Sequence, residues 1–289
     1  MKFAFFILYL IHFLPLKAIH FMAKGMGSLA FYLAKDRRHV GLTNLKLCFP
    51  EWTEEKRIQV LKANFYHMAA LFLEYGVCWY SSAKRIDKLV QYQDKHYLDD
   101  ALANGEHVIL LYPHFCAFEM GVYKLNQTQA LTSIYAHQKN KTVDEAIFKH
   151  RHRYNNVRIV SRQQGFLSII KTIKNHRQSP FLYLPDQDFG PKESIFVRFF
   201  HTQAATITGL NRMTKLTGAK VIPLICVREK NGFKMIFYPP WTNFPTEDVV
   251  ADTQRMNDFI QELATTYPEQ YFWLHKRFKT RPEGEQSVY

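Results

Sequence analysis

The sequence predicts an α/β fold in which helices flank a central sheet. From residue 90 onward, short apolar runs alternate with segments of helical periodicity, a pattern typical of strands connected by helices. The composition of 47% hydrophobic and 22% charged residues is that of a globular protein and excludes a disordered chain. A length of 289 residues is long for one core and short for two, so we expect one domain with an appendage.

Local patterns predict the individual elements. Thr53 precedes two acids and a long stretch with apolar residues on one side, which predicts a helix that Thr53 caps and that ends near Tyr80. That apolar side is Leu61, Phe65, Met68, Leu71, Phe72 and Tyr75. The predicted strands are 108–112, 132–135, 157–160, 181–184, 221–227 and 234–238, and the predicted helices lie near 97–103, 117–125, 142–153, 165–176, 206–217 and 252–266.

The N-terminal residues are apolar but poorly suited to span a bilayer. The uncharged run from Phe3 to Leu16 is shorter than the roughly 20 residues that a spanning helix needs, and no good signal-peptide cleavage site follows it. A second apolar stretch, 19–34, contains Lys24 and is followed by basic residues at 35–38. We interpret residues 1–34 as a membrane anchor or interfacial helices at the cytoplasmic surface, and 35–289 as the main domain. A helix pair buried in the core is the alternative.

The charge pattern suggests anionic partners. Lys and Arg number 38 and Asp and Glu 25, a formal net charge of +13 without a basic tail. Residues 146–185 contain no acid and eight cations: Lys149, Arg151, Arg153, Arg158, Arg162, Lys171, Lys174 and Arg177. This stretch is either a solvated face or a docking surface for anions. Arg162, at the end of a predicted strand, is the best candidate for a substrate-binding arginine.

His114 and Glu119 form the candidate catalytic pair. The strand 108–112 ends in a turn that holds His114, and Glu119 falls near the start of the next helix. A carboxylate beside an imidazole orients the ring and leaves its other nitrogen free as a general base. The spacing alone is uninformative, so a histidine that only caps the helix remains the alternative.

Other polar residues near this turn have competing interpretations. Cys116 could act as a nucleophile, but a small packing residue is the favoured interpretation. Asp186 and Asp188 follow the strand 181–184 and could orient an arginine, cap the loop or bind a metal; a polar network is favoured. The four cysteines contain no Cys-x-x-Cys pair, which disfavours a zinc ribbon or a disulfide framework and fits a reducing compartment.

Five motifs in order resemble those of the late lipid A acyltransferases, within the lysophospholipid acyltransferase superfamily. The similarity covers nearly the whole chain and rests on residues 44–51, the His-x4-Glu motif at 114–119, the acidic loop 184–190, the Phe-Phe segment 199–206 and the C-terminal residues 273–282. Cys116 and Phe118 depart from the family pattern, which usually has Gly and Trp there.

This resemblance implies a mixed sheet of the glycerolipid acyltransferase type. It also implies an O-acyltransferase that takes a fatty acyl chain from acyl carrier protein; the lauroyl branch of the family suggests that this chain is lauroyl. The acceptor would be a hydroxyl of a β-hydroxyacyl chain on a Kdo-bearing lipid A precursor, at the cytoplasmic face of the inner membrane. His114 would be the base and Glu119 would orient it, without a metal or cofactor. Arg162, which matches an arginine of the family, would bind substrate. Asp186, and Arg158 and Lys171 of the basic stretch, are further candidates for substrate binding.

Three other functions stay open at this point. A glycerophospholipid acyltransferase would usually carry a downstream Glu-Gly-Thr-Arg-like motif, and Pro282-Glu283-Gly284-Glu285 lacks its Thr-Arg. An acyl thioesterase would use the same base to activate water. A basic protein that binds membrane surfaces without catalysis is a third alternative. Nucleic acid is not expected as a partner, because no recognition motif or stacking platform is found.

Overall fold

Nine strands lie in the part of the chain that the computed structural model describes, which is residues 2–135, 140–154, 157–161 and 164–289. They are β1 (Val90–Gln93), β2 (Val108–Leu111), β3 (Leu131–Tyr135), β4 (Val157–Ser161), β5 (Phe181–Tyr183), β6 (Ser194–Phe199), β7 (Thr202–Ile207), β8 (Lys220–Glu229) and β9 (Gly232–Phe237).

Seven of these strands form one mixed sheet in the order β1-β9-β8-β2-β5-β3-β4. All neighbouring pairs are parallel except β8 and β9, which form an antiparallel hairpin. Strands β6 and β7 pair separately as a second hairpin. Every residue of β2 is buried, as expected for a central parallel strand covered on both faces. The α/β prediction with a mixed sheet is confirmed.

Helices precede the sheet and cover it. They are α1 (Lys2–Ile11), α2 (Leu16–Leu33), α3 (Lys35–Cys48), α4 (Glu54–Tyr80), α5 (Ala83–Leu89), α6 (His96–Ala103), α7 (Phe118–Leu125), α8 (Lys141–Arg151), α9 (Phe166–Asn175), α10 (Gly209–Thr217) and α11 (Val249–Thr266).

The sequence located most of these elements. All six predicted strands and all six predicted helices of the sheet region are present within a few residues of their expected bounds. Helix α4 ends at Tyr80, and Thr53 caps it by accepting a hydrogen bond from the Lys56 amide at 3.3 Å. The placement of Phe72 on the buried side was wrong, since its side chain is 59% exposed. Strands β1, β6 and β7 were not predicted.

Helices α1 and α2 pack against α4 along one side only. Ile11, Ile19 and Ala23 are buried there, and Gly27 permits close approach, because a Cβ at this position would lie 2.6 Å from the Tyr66 Cα. The other side carries exposed apolar residues at helical spacing, which we call the apolar stripes: Phe3, Phe6, Ile7 and Leu10 on α1, and Phe21, Met22, Met26, Leu29 and Leu33 on α2.

Across the described residues, no helix combines the length and the apolar character that crossing a membrane requires. What residues 2–33 form is a pair of helices that each have one side packed on the protein and another apolar side exposed. The alternative of a helix pair buried in the core is therefore right for only one side of each helix.

Candidate active site

His114 lies just beyond the carboxyl end of β2, in a loop held by backbone hydrogen bonds. Its carbonyl accepts from the Phe272 amide at 3.1 Å, and the Cys116 amide donates to the Gln270 carbonyl at 2.8 Å. Phe115 and Tyr271 form an isolated antiparallel bridge between these two bonds. The C-terminal segment thus binds the loop much as an additional strand would, and this fixes the backbone that carries His114.

Asp186 is the hydrogen-bond partner of His114. One carboxylate oxygen lies 2.7 Å from the ring Nδ1, and the other accepts the His114 amide at 2.9 Å. Burial of Asp186 opposes ionisation, but the charge and hydrogen bonds of His114 outweigh it and lower the pKa of Asp186 below its usual value. An ionised Asp186 holds the proton of a neutral imidazole on Nδ1, which leaves Nε2 as the basic nitrogen.

Glu119 has other hydrogen-bond partners in this geometry than His114, which it was expected to orient. Its Oε1 accepts from the Arg151 guanidinium and from the Tyr75 hydroxyl, each at 3.1 Å, and no hydrogen bond among the described residues joins it to His114. Burial would lower the pKa of Arg151, but the nearby Glu119 carboxylate raises it overall. Glu119 is the second residue of α7 and its hydrogen-bond partners lie on α4 and α8, whereas Asp186 follows β5, the strand beside β2.

His114 and Glu119 both line one cavity of about 680 Å³, within the usual range for a bound ligand of moderate size. Most of its wall is apolar, with Val122, Leu131, Ile134, Ile147, Leu182 and Leu184 among the lining residues. Its charged lining residues are Glu119, Arg151, Lys192, Glu193 and Arg212. The cavity therefore has a mainly apolar wall, and among its charged lining residues three are basic and two are acidic.

The remaining predicted substrate residues are dispersed. Arg158 on β4 and Lys171 on α9 are exposed and are not among the residues that line the cavity. Arg162 lies outside the described residues, as do 136–139, 155–156 and 163. Asp186, predicted to contact substrate, is instead paired with His114.

Asp188 fastens the loop after β5 to the C-terminal segment. Its carboxylate accepts from the Thr280 amide at 2.7 Å, the Thr280 hydroxyl at 2.8 Å and the Gly190 amide at 2.8 Å. Its own amide donates to His275 Nε2 at 2.9 Å. Burial lowers the pKa of His275 to about 4, so its ring is a neutral acceptor. The favoured interpretation of the acidic loop as a polar network agrees with these contacts.

Cys116 is a packing residue in this geometry. It is 1% exposed, its Sγ lies 3.5 Å from the Met68 sulfur, and burial raises the pKa of its thiol to about 12. A buried thiol with a raised pKa is a poor nucleophile. Cys116 is also absent from the residues that line the cavity.

A buried ion pair between Arg228 and Glu74 contacts the backbone of the loop that carries His114. The Arg228 guanidinium donates twice to the Glu74 carboxylate, at 2.7 and 2.6 Å, and once to the Cys116 carbonyl at 3.2 Å. His20 of α2 adds a 3.0 Å contact to Glu74. Although burial opposes ionisation of Glu74, the charge of Arg228 lowers its pKa overall.

The neighbouring residues complete this network. His67 Nδ1 lies 2.6 Å from the Arg228 guanidinium, and burial together with this cation lowers the pKa of His67 to about 3. The Arg228–Glu74 pair was not predicted, although Glu74 interrupts the apolar run 69–79 and Arg228 lies near the end of a buried strand.

The family profile of the bacterial lipid A biosynthesis acyltransferases matches residues 2–280, so the chain belongs to this family of acyltransferases. It is similar to the lipid A biosynthesis lauroyltransferase of Escherichia coli (strain K12), with 31% identity over 98% of this chain and 92% of the relative. It is 32% identical to a lipid A biosynthesis acyltransferase of Haemophilus influenzae over 97% of this chain and 87% of the relative. A myristoyltransferase of E. coli K12 is 30% identical over 91% of this chain and 82% of that protein.

Among solved structures, the 1-acyl-sn-glycerophosphate acyltransferase PlsC of Thermotoga maritima matches 85% of this chain and 97% of its own, with a TM-score of 0.39 and 13% identity.

The Arg228–Glu74 pair predicts a specific pattern of stability. Arg228→Met alone leaves a buried carboxylate unpaired and should lower the free energy of unfolding by roughly 3–5 kcal/mol, whereas adding Glu74→Leu should restore most of the loss, because apolar replacement of both partners removes the unpaired charge. Denaturant unfolding of the two single variants and the double variant measures this. If the double variant loses the sum of the unfolding free energies lost by the two single variants, Arg228 and Glu74 do not stabilise each other as a buried ion pair.

Proposed function

We propose that this chain transfers a fatty acyl group from the thioester of an acyl carrier protein to a hydroxyl of a β-hydroxyacyl chain on a Kdo-bearing lipid A precursor. The lauroyl group is the donor chain that the relative at 31% identity suggests. One observation carries the proposal: a histidine paired with a buried aspartate lines a mainly apolar cavity of about 680 Å³. Such a cavity suits an acyl chain, and such a histidine suits proton transfer.

In the proposed reaction, Nε2 of His114 accepts the proton of the acceptor hydroxyl as its oxygen attacks the thioester carbonyl. The carbon–sulfur bond breaks, the new ester forms, and the imidazolium returns the proton to the departing thiolate. Asp186 stabilises the imidazolium and keeps the ring in the required tautomer. No acyl-enzyme, metal or cofactor takes part, in agreement with the burial of Cys116.

Glu119 acts in this scheme through Arg151. Its carboxylate contacts the guanidinium at 3.1 Å, which fixes the cation in the wall of the cavity that His114 also lines. Fixed dipoles and charges beside the developing oxyanion lower the barrier to acyl transfer. Glu119 therefore stays a proposed catalytic-site residue, with a different immediate partner from the one expected.

We place the protein at the cytoplasmic face of the inner membrane, with residues 1–34 as interfacial helices and 35–289 as the acyltransferase domain. The apolar stripes on α1 and α2 support this, since Phe3, Phe21 and Leu33 are each more than 70% exposed. Helices of this kind lie in the membrane interface with the apolar side toward the acyl chains. Lys24 and the basic residues 35–38 would contact anionic headgroups.

Arg158 and Lys171 are proposed to bind the acidic carrier protein from outside the cavity. Both are exposed and lie in the acid-free stretch 146–185. Opposite charge on two partners steers association more than it changes the chemical step.

His114→Ala should lower turnover by at least ~10²-fold, because it removes the general base. Asp186→Asn should also be severely impaired, and the His114→Ala/Asp186→Asn variant should be little worse than His114→Ala alone, since the two residues act as a unit. Initial rates of radiolabelled acyl transfer measure this, with Cys116→Ala as the buried control that retains most activity. Near-normal transfer by folded His114→Ala would refute the mechanism, and acceptor-independent thioester hydrolysis would indicate a thioesterase.

Glu119→Gln separates the two possible roles of Glu119. If Glu119 acts through Arg151, Glu119→Gln should lower the rate further in the His114→Ala background, because the two substitutions affect different interactions. If it orients His114 instead, it should have no further effect in that background, and the proposed role would be wrong.

Phe21→Asp combined with Leu33→Asp should weaken binding to anionic phospholipid vesicles by at least about tenfold, since burying each large apolar side chain contributes roughly 1.5–3 kcal/mol. Leu216→Asp with Val250→Asp is the matched control, because these side chains are also exposed but lie on α10 and α11. Vesicle sedimentation measures the binding. Equal loss in both double variants, or none in the first, would contradict the placement of the stripes in the interface.

Arg158→Glu with Lys171→Glu should raise KM for the carrier-protein donor several-fold at low salt, with a smaller effect on kcat. Lys84→Glu with Lys230→Glu makes the same charge change at other exposed positions. A KM that is unchanged across a salt series, or equal in the two variants, would leave the stretch as a solvated face.

A further inference from the structure

Tyr183 presents a buried hydroxyl that has no partner among the described residues. The residue ends β5, only three positions before Asp186, and is 5% exposed. A Cβ placed on Gly209 would lie 2.5 Å from the Tyr183 hydroxyl oxygen, so the hydroxyl lies against the start of α10. A buried polar group without a partner costs roughly 1–3 kcal/mol, which suggests that it serves a bound group.

The start of α10 has its own unsatisfied donors. Thr208 is the N-cap residue, and its side chain makes no capping hydrogen bond. The amides of a helix's first turn, together with the helix dipole, favour an anion. Thr208, Gly209 and Tyr183 all line the cavity that holds His114, so this helix end is part of the same site.

The charges around this helix end are mainly positive. Arg212 follows one turn into α10 and lines the cavity, with its guanidinium 4.3 Å from the centre of the Phe166 ring. Lys192 lines the cavity from the loop before β6, next to Glu193; the other acid among the described lining residues, Glu119, is paired with Arg151. The first turn of α10 contains no acid. Arg151 differs from Arg212, because it is already paired with Glu119.

We propose that the first turn of α10, the Tyr183 hydroxyl and Arg212 form a subsite for a phosphate group of one of the two substrates. Phosphate oxygens can accept from the helix amides, the phenol and a guanidinium together. Burial raises the pKa of Tyr183, so the phenol keeps its proton and remains a donor. The assignment rests on the proposed transfer reaction. The phosphate belongs either to the phosphopantetheine arm of the donor or to the sugar of the lipid acceptor.

Steady-state kinetics of the full-length protein test the subsite. Arg212→Ala should raise KM for the phosphate-bearing substrate about tenfold, the factor that one charge-assisted hydrogen bond provides, with kcat within about twofold, as expected for loss of uniform binding. Arg212→Lys should recover part of the loss. Lys215→Ala removes the same charge from the same helix, but its ammonium is paired with Glu247, so KM should not change.

Tyr183→Phe distinguishes binding from a structural role. Removing an unpaired buried hydroxyl should leave thermal stability unchanged or raised, while KM rises for the same substrate as in Arg212→Ala. A structural hydroxyl would give the opposite combination, a loss of stability with KM unchanged, and would overturn the assignment.

Substrate analogues identify the source of the phosphate. With the donor as source, Arg212→Ala and wild type should have equal KM for an acyl-pantetheine thioester that lacks the phosphate, while the difference remains for acyl carrier protein. With the acceptor as source, the difference should vanish for a dephosphorylated lipid precursor. The proposal is wrong if neither variant changes KM for either natural substrate.

A readout without turnover separates failure of the subsite from failure of the proposed function. Inorganic phosphate should raise the thermal unfolding temperature of wild type more than that of Arg212→Ala or Tyr183→Phe, because the ligand stabilises the state that binds it. This result would support the subsite even for a chain without transferase activity. Equal shifts in all three proteins would overturn it.

Discussion

The buried Arg228–Glu74 ion pair is the interaction on which the loop that carries His114 depends. Two charges without exposed surface are stable only when each satisfies the other and the remaining donors also find partners. Here the surplus donors reach the Cys116 carbonyl and His67, and His20 completes the shell of the carboxylate. Because the carbonyl lies two residues beyond His114, the position of this proposed base is tied to a contact that cannot loosen without exposing a charge to an apolar core.

The sheet order explains why His114 pairs with Asp186. Strands β2 and β5 are adjacent and parallel, so their carboxyl ends lie at the same edge, the usual place for ligand sites in α/β folds. His114 follows one strand by three residues and Asp186 follows the other by three. Glu119 is close along the chain but lies on α7, where Tyr75 and Arg151 are nearer partners. At this site, the hydrogen-bond partner of His114 is therefore not Glu119, which is close in sequence, but Asp186, which is 72 positions away.

The contrast between the expected partner Glu119 and the observed partner Asp186 shows which parts of the molecule a single sequence can predict. Strands such as β2 and β5 and helices such as α4 follow from local periodicity and capping, and the strand–turn–helix context identified His114. Strand order depends on long-range pairing that local pattern does not encode, so the contact between His114 and Asp186 could not be assigned. Strands β6 and β7 were missed because polar residues interrupt their apolar residues, Arg198 in β6 and Gln203 and Thr206 in β7. The partnership of Glu74 with Arg228 spans 154 positions.

The same long-range network connects the proposed membrane surface to the chemistry. Helix α2 carries an apolar stripe on its exposed side and His20 on its packed side, where the ring contacts Glu74 at 3.0 Å. From Glu74 the contacts continue through Arg228 to the Cys116 carbonyl, in the loop that carries His114. If α2 lies in the membrane interface as proposed, this chain of buried hydrogen bonds holds His114 at a set position relative to the lipid surface. A transferase with a soluble donor and a lipid acceptor needs that constraint, because its base must meet a hydroxyl whose depth the bilayer determines.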